Sequence, residues 1–215
     1  VKNVIITKQK PFEKILEMTQ PYDKVFIVGC GSCATSCQTG GEKEVAEMAG
    51  RLGEKVVGTA VVEEPCDLRL DRRDLKAHRE ALKEADAVLV LACGSGVQTL
   101  ADFTGKIVLP GLDTCFIGET ERLGRFYDRC RACGDCILDE TGGICPITRC
   151  AKALLNGPCG GQVEGKCEVG EYKNDCAWVL IWKKLKEQDR LDLFMKFRPP
   201  RDHSKKVLLT EVILR

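Results

Sequence analysis

Eight of the fourteen cysteines fall between Cys130 and Cys176, at spacings that suit metal ligation. Cys130-Arg-Ala-Cys133-Gly-Asp-Cys136 has the Cys-x2-Cys-x2-Cys spacing of bacterial ferredoxins, in which thiolates two residues apart close on corners of one iron–sulfur cube. Zinc sites instead pair two shorter knuckles, so the triple run speaks for a cluster. Cys145-Pro146, Cys150, Cys159, Cys167 and Cys176 follow, and eight thiols can fill two four-thiolate sites. In ferredoxins the Cys-Pro cysteine serves the other cluster. That rule groups Cys130, Cys133, Cys136 and Cys176 in one site and leaves Cys145, Cys150, Cys159 and Cys167 for a second site or a structural zinc.

A separate set lies upstream. Gly29-Cys30-Gly-Ser-Cys33-Ala-Thr-Ser-Cys37 gives Cys-x2-Cys-x3-Cys, and with Cys93 as a distant fourth ligand it suits a [4Fe–4S] cluster. The chain would then carry at least two clusters. Cys66 and Cys115 are the alternatives to Cys93. Gly29-x-Gly31-x-x-Ala34 also fits a dinucleotide fingerprint, but Glu63 and Glu64 are the nearest acids for a ribose, and three thiols crowd the place of the pyrophosphate. Cys93-Gly94-Ser95-Gly96-Val97 reads as a turn that could cradle an anion at a helix start.

These residues need a scaffold, and the hydrophobic pattern predicts an α/β one. Apolar runs at 24–28, 55–62, 87–92 and 107–109 read as strands, and 41–52, 71–85 and 97–103 read as helices. Strands apolar throughout and alternating with helices imply a Rossmann-like or flavodoxin-like parallel sheet covered on both faces. In the order 2-1-3-4, the first and third strands flank the crevice where such sheets bind ligands. Cys30, Cys33 and Cys37 lie just past the first of these strands and Cys93 just past the third. The predicted organisation is an N-terminal arm (1–23), an α/β domain (24–125), a cysteine-rich iron–sulfur module (126–176), and an amphipathic helix with a basic tail (177–215).

Composition narrows the classes. The formal net charge is +1, from 33 basic and 32 acidic residues, which gives no global field for nucleic acid. The basic residues concentrate beyond Ala177, with ten Lys or Arg against five Asp or Glu. The first residues lack the apolar run of a signal peptide, and no stretch reaches the roughly 20 apolar residues of a membrane span. The reading is a cytoplasmic protein, where cysteines bind metal or do redox chemistry more often than they form disulfides. Trp178, Ile181, Trp182 and Leu185 form a helical stripe expected to pack over the cysteine module. Lys183, Lys184 and Lys186 beside it read as a solvated face or a dock for an acidic electron carrier. His78 and His203 read as surface residues, Pro199-Pro200 as a linker, and 207–214 as a strand or docking arm.

Taken together, Gly29-Cys-Gly-Ser-Cys-x3-Cys37, Cys93-Gly-Ser-Gly-Val-Gln-Thr99, Cys130-x2-Cys-x2-Cys136, Gly142-Gly-Ile-Cys-Pro146, Asn156-Gly-Pro-Cys-Gly-Gly161 and Lys166-Cys-Glu168 resemble one family. It is the small iron–sulfur (MetV-type) subunit of two-subunit methylenetetrahydrofolate reductases of acetogenic and related anaerobes. The resemblance implies a partner subunit, a flavin-bearing (β/α)8 barrel that holds FMN or FAD and the folate site. It also implies that this chain has no substrate chemistry of its own and delivers electrons, received from ferredoxin or another carrier, to the partner's flavin for reduction of 5,10-methylene- to 5-methyltetrahydrofolate. A zinc-stabilised scaffold in the same complex is the alternative.

Overall fold

The computed structural model describes residues 4–204, so the strand or arm expected at 207–214 lies outside the described residues. The chain divides into two compact units, one ending at Tyr127 and the other beginning at Asp128.

The first unit is α/β. Its elements are β1 (Val4–Gln9), α1 (Phe12–Thr19), β2 (Val25–Cys30), α2 (Cys33–Ser36), α3 (Glu42–Leu52), β3 (Val56–Val62), α4 (Leu68–Asp74), α5 (Arg79–Glu84), β4 (Ala87–Leu91), α6 (Gly94–Thr104), β5 (Ile107–Pro110) and β6 (Leu112–Arg122), and β7 (Arg125–Cys130) begins in it. A parallel sheet runs β3-β2-β4-β5, the order 2-1-3-4 expected of the four apolar runs. Every residue of β2 and β4 is buried, because helices cover both faces of these central strands. The core gathers around Phe26, Ile27, Leu89, Leu91, Met48 and Leu100.

Three features depart from the sequence reading. Residues 4–19, read as an arm, form β1 and α1, and β1 pairs antiparallel with β6 in a second, three-stranded sheet of order β1-β6-β7. The helix expected at 71–85 starts earlier and breaks into α4, a 3-10 turn at Leu75–His78, and α5. Asp67 caps the start by accepting from the Arg69 backbone N–H at 2.9 Å, and the Asp74 carboxylate at the break accepts from the Glu63 N–H at 3.0 Å, tying that turn to the end of β3. Leu75, Leu82 and Ala85 still face inward. His78, expected at the surface, is half-buried with its ring 5.8 Å from Phe26 in an edge-on contact.

Among its described residues, the second unit carries the end of β7, α7 (Pro146–Arg149), α8 (Ala177–Glu187) and α9 (Asp192–Met195), joined by turns and loops in which isolated β-bridges pair Lys166 with Val163 and with Asp175. Its core is small: Trp178, Ile181 and Leu185 of α8, packed against Ile144, Cys150, Leu154, Cys176, Leu193 and Phe194. The predicted stripe thus covers the cysteine loops, with one correction. Trp182 stays at the rim, 39% exposed, with the Lys186 ammonium 5.1 Å from its ring centre. Between Ala132 and Tyr172, five non-glycine residues (Ala132, Ala153, Glu164, Glu171 and Tyr172) adopt left-handed backbone. Such conformations persist only where the surroundings impose them.

Candidate metal centres

The first centre sits at the carboxyl edge of the parallel sheet. β2 ends on Cys30, and Cys93 caps α6 just after β4, so both flank the point where the connections from neighbouring strands diverge. A cavity of about 450 Å³ opens there, lined by Cys30, Cys33, Cys66 and Cys93, with Pro65 and Ala92 among its apolar walls. Cys30 and Cys93 are buried, Cys33 is half-buried and Cys66 is exposed.

The loop from Cys30 back to α3 is folded tightly over the strands. The Cys30 N–H donates to Gly40 O at 2.8 Å, and the Thr35 hydroxyl donates to Cys30 O at 2.7 Å. A Cβ on Gly40 would lie 2.1 Å from Leu91 O, so only glycine lets the loop pass this close to β4. β1 clamps the other side. Its Thr7 hydroxyl bonds that of Thr39 at 2.7 Å and its Gln9 amide donates to Thr39 O, while Ile5 reaches the cavity wall. Thr114 of β6 accepts from the Gly94 N–H at 2.8 Å, which fixes the start of α6 beside Cys93.

Of the residues assigned to this site, Cys30, Cys33 and Cys93 line the cavity. Cys37 lies off it, its thiol directed at Ile5 O at 3.7 Å, with Cys33 and Cys115 as neighbours. Cys66, from the loop after β3, occupies the wall beside Cys93 and Cys30. Burial pushes the Cys30, Cys37 and Cys66 thiols above their ordinary range. A metal binding here must therefore displace protons.

The second unit holds the other eight cysteines, Cys130 at the end of β7 and the rest on loops. In the Cys130–Cys136 run, the left-handed Ala132 turns its N–H onto Cys130 Sγ at 3.3 Å. At Cys133 burial acts to raise the pKa, but the Asp135 backbone and the Arg201 guanidinium outweigh it and hold the thiol below its ordinary value. The Thr148 hydroxyl lies 3.5 Å from Cys145 Sγ and 3.4 Å from Arg129 O. This brings Cys145 against the start of the triple run. Cys176, grouped with that run from spacing, sits at the N-cap of α8 and packs with Cys150 on the Trp178 core. The Cys167 N–H bonds Asn174 O, and the Cys176 N–H bonds Gly165 O. Cys159 is exposed, its thiol 3.5 Å from the Glu168 carboxylate, which also pairs with Lys152.

No disulfide joins any of the fourteen cysteines, all of which lie among the described residues. Among the described residues, no three Cys, His, Asp or Glu side chains converge closely enough to hold a metal ion as they stand. The donor chemistry nonetheless fits iron–sulfur clusters or zinc: sulfur-only sets, on short loops, with backbone N–H groups turned toward sulfur. Sequence reasoning missed Thr148, Arg201 and the Ile5 wall. No local spacing marks them, since each reaches its cysteines through tertiary contact.

Searches of curated proteins and of solved structures returned no match. Residues 109–204 match the family model described as methylene-tetrahydrofolate reductase C terminal, a span that takes in every cysteine from Cys115 to Cys176. The match covers a little under half of the chain, and what it shows is the similarity of that segment to the methylene-tetrahydrofolate reductase C-terminal family.

Proposed function

We propose that the chain is an iron–sulfur electron-transfer subunit that works beside a flavin-bearing methylenetetrahydrofolate reductase subunit. The observation that carries the reading is that Cys30, Cys33, Cys66 and Cys93 all line one cavity at the carboxyl edge of the sheet, where such sheets bind ligands. The family match of the cysteine-rich segment supplies the reductase context. Clusters, when bound, supply low-potential one-electron storage. In the first unit, Cys30, Cys33, Cys66 and Cys93 hold the group, while Pro65 and Ala92 keep water from one side of it. In the second, Cys130, Cys133 and Cys136 take Cys145 as fourth ligand through the Thr148 bridge, and Cys150, Cys159, Cys167 and Cys176 remain for a further cluster or a zinc. Electrons arriving from ferredoxin or a similar carrier pass to the partner's FMN or FAD, where the folate is reduced.

Anaerobic purification of the full chain, followed by iron, acid-labile sulfide and zinc analysis, tests this. Iron and sulfide in comparable amounts are expected. A colourless protein with zinc and no sulfide would replace the electron-transfer role with that of a zinc-stabilised scaffold.

A further inference from the structure

Pro199-Pro200, a linker by sequence, joins two arginines with different tasks. Arg198 is an anchor. It is only 5% exposed, and its Nε donates to Glu140 Oε2 at 2.8 Å. Its guanidinium also reaches the carbonyls of Glu140, Leu193 and Leu155. The Asn156 side chain grips its backbone from both sides, accepting from the Arg198 N–H at 2.7 Å and donating to Arg198 O at 2.8 Å. Two prolines, each with fixed φ, then make a stiff spacer to Arg201. Arg201 Nη2 donates to Cys133 O at 3.2 Å and to Asp135 O at 3.3 Å. The carbonyls on both sides of Gly134 are thereby pinned by one guanidinium, in the middle of the Cys-x2-Cys-x2-Cys run.

We propose that Arg201 is the positioning residue of the Cys130–Cys136 metal site: delivered from the Arg198 anchor by a rigid spacer, it holds the ligand loop and raises the reduction potential of the cluster bound there. The proposal rests on the reading that this loop carries a cluster. A ligand-bound cluster gains negative charge on reduction, and a fixed cation a few ångströms from a ligating sulfur favours the reduced form. Cys133 and Cys136 lie past the end of β7, on a loop with no helix or strand of its own that needs an outside support, and Arg201 supplies two hydrogen bonds to it.

The full chain, purified anaerobically as wild type, R201Q and R201K, is titrated with dithionite and dye mediators under electron paramagnetic resonance, with iron and sulfide determined for each. The signal absent from a C133A variant identifies the site. In R201Q that signal's midpoint is expected to fall by about 59 mV, a tenfold loss in the reduced-to-oxidised ratio for one electron, while other signals stay. R201K, which keeps the charge, is expected to recover most of the shift. Loss of this cluster in R201Q with retention in R201K also supports the role. Unchanged midpoints at unchanged iron content overturn it, as does equal loss of the cluster in R201Q and R201K. Wild-type chain with zinc and no sulfide overturns the electron-transfer reading and this role together, a result visible before any variant is made.

Discussion

At the scale of single residues, the first centre turns on which thiol completes the set. Spacing favours Cys37, because it continues the Cys-x2-Cys-x3-Cys run, but α2 carries it off the cavity toward Ile5 O, whereas Cys66 reaches the wall from a different loop. C66S is expected to lose the iron of the first unit, and C37S to keep it, by iron analysis and paramagnetic signal. Equal losses from both would restore Cys37 as a ligand. Asp71 presents a separate problem. It is fully buried, and neither carboxylate oxygen has a hydrogen-bond partner. Burial, with Asp67 and Asp74 close by, pushes its pKa up to about 7. The folded state therefore keeps a proton that the unfolded chain releases above about pH 4, so this residue's contribution to stability is full below that pH and lost as pH rises through about 7. D71N removes the titration. Its melting temperature is expected to exceed that of wild type at about pH 8 and to show less fall between about pH 5.5 and 8. Parallel pH profiles for the two proteins would refute the account.

At the scale of elements, what could be read from the sequence follows burial. β2, β3, β4 and β5 are apolar runs bounded by turns, and their order places Cys30 and Cys93 together with no further information. β1 and β6 were not legible as a pair. β6 runs from the polar pair Asp113-Thr114 through a short apolar stretch to Glu119-Thr120-Glu121-Arg122, without period-two alternation, and has much of its length exposed, so its signal is weak, and β1 acquires meaning only from a partner more than 100 residues away. Their contribution to the site, the Ile5 wall and the Thr114 bond to α6, stayed hidden with them. Glycine positions make a sharper test of element packing. G40A places a methyl carbon against the Leu91 carbonyl and is expected to destabilise the first unit by about 3 kcal/mol, from overpacking that no flexible side chain can relieve. Thermal unfolding with the metal content matched measures it. A loss below about 1 kcal/mol would mean that the loop has room to move away.

At the scale of the whole molecule, the two units differ in what holds them. The first has an extensive apolar core around a parallel sheet. Among the described residues, the second has an apolar core of three buried side chains on one helix and many left-handed turns, a core too small to order its loops alone. Its order is expected to come from metal. Chelation of the purified chain should abolish hydrogen-exchange protection across the second unit while β2 and β4 remain protected. Equal loss of protection in both units would contradict this. No helix among the described residues is long and apolar enough to cross a membrane.

The pairing of β1 with β6 bears on how the molecule is assembled in time. During synthesis the first strand emerges early, yet its partner Leu112–Arg122 leaves the ribosome only after the whole parallel sheet has been made. Until then the cysteine loop lacks its Thr7 and Gln9 clamps, and the crevice above Cys30 and Cys93 stands open on the Ile5 side. In chain order, the last long-range pairing to become available in this unit is therefore the one that closes a wall over its thiols, and metal loaded before it forms would meet a wider entrance than metal offered to the finished protein.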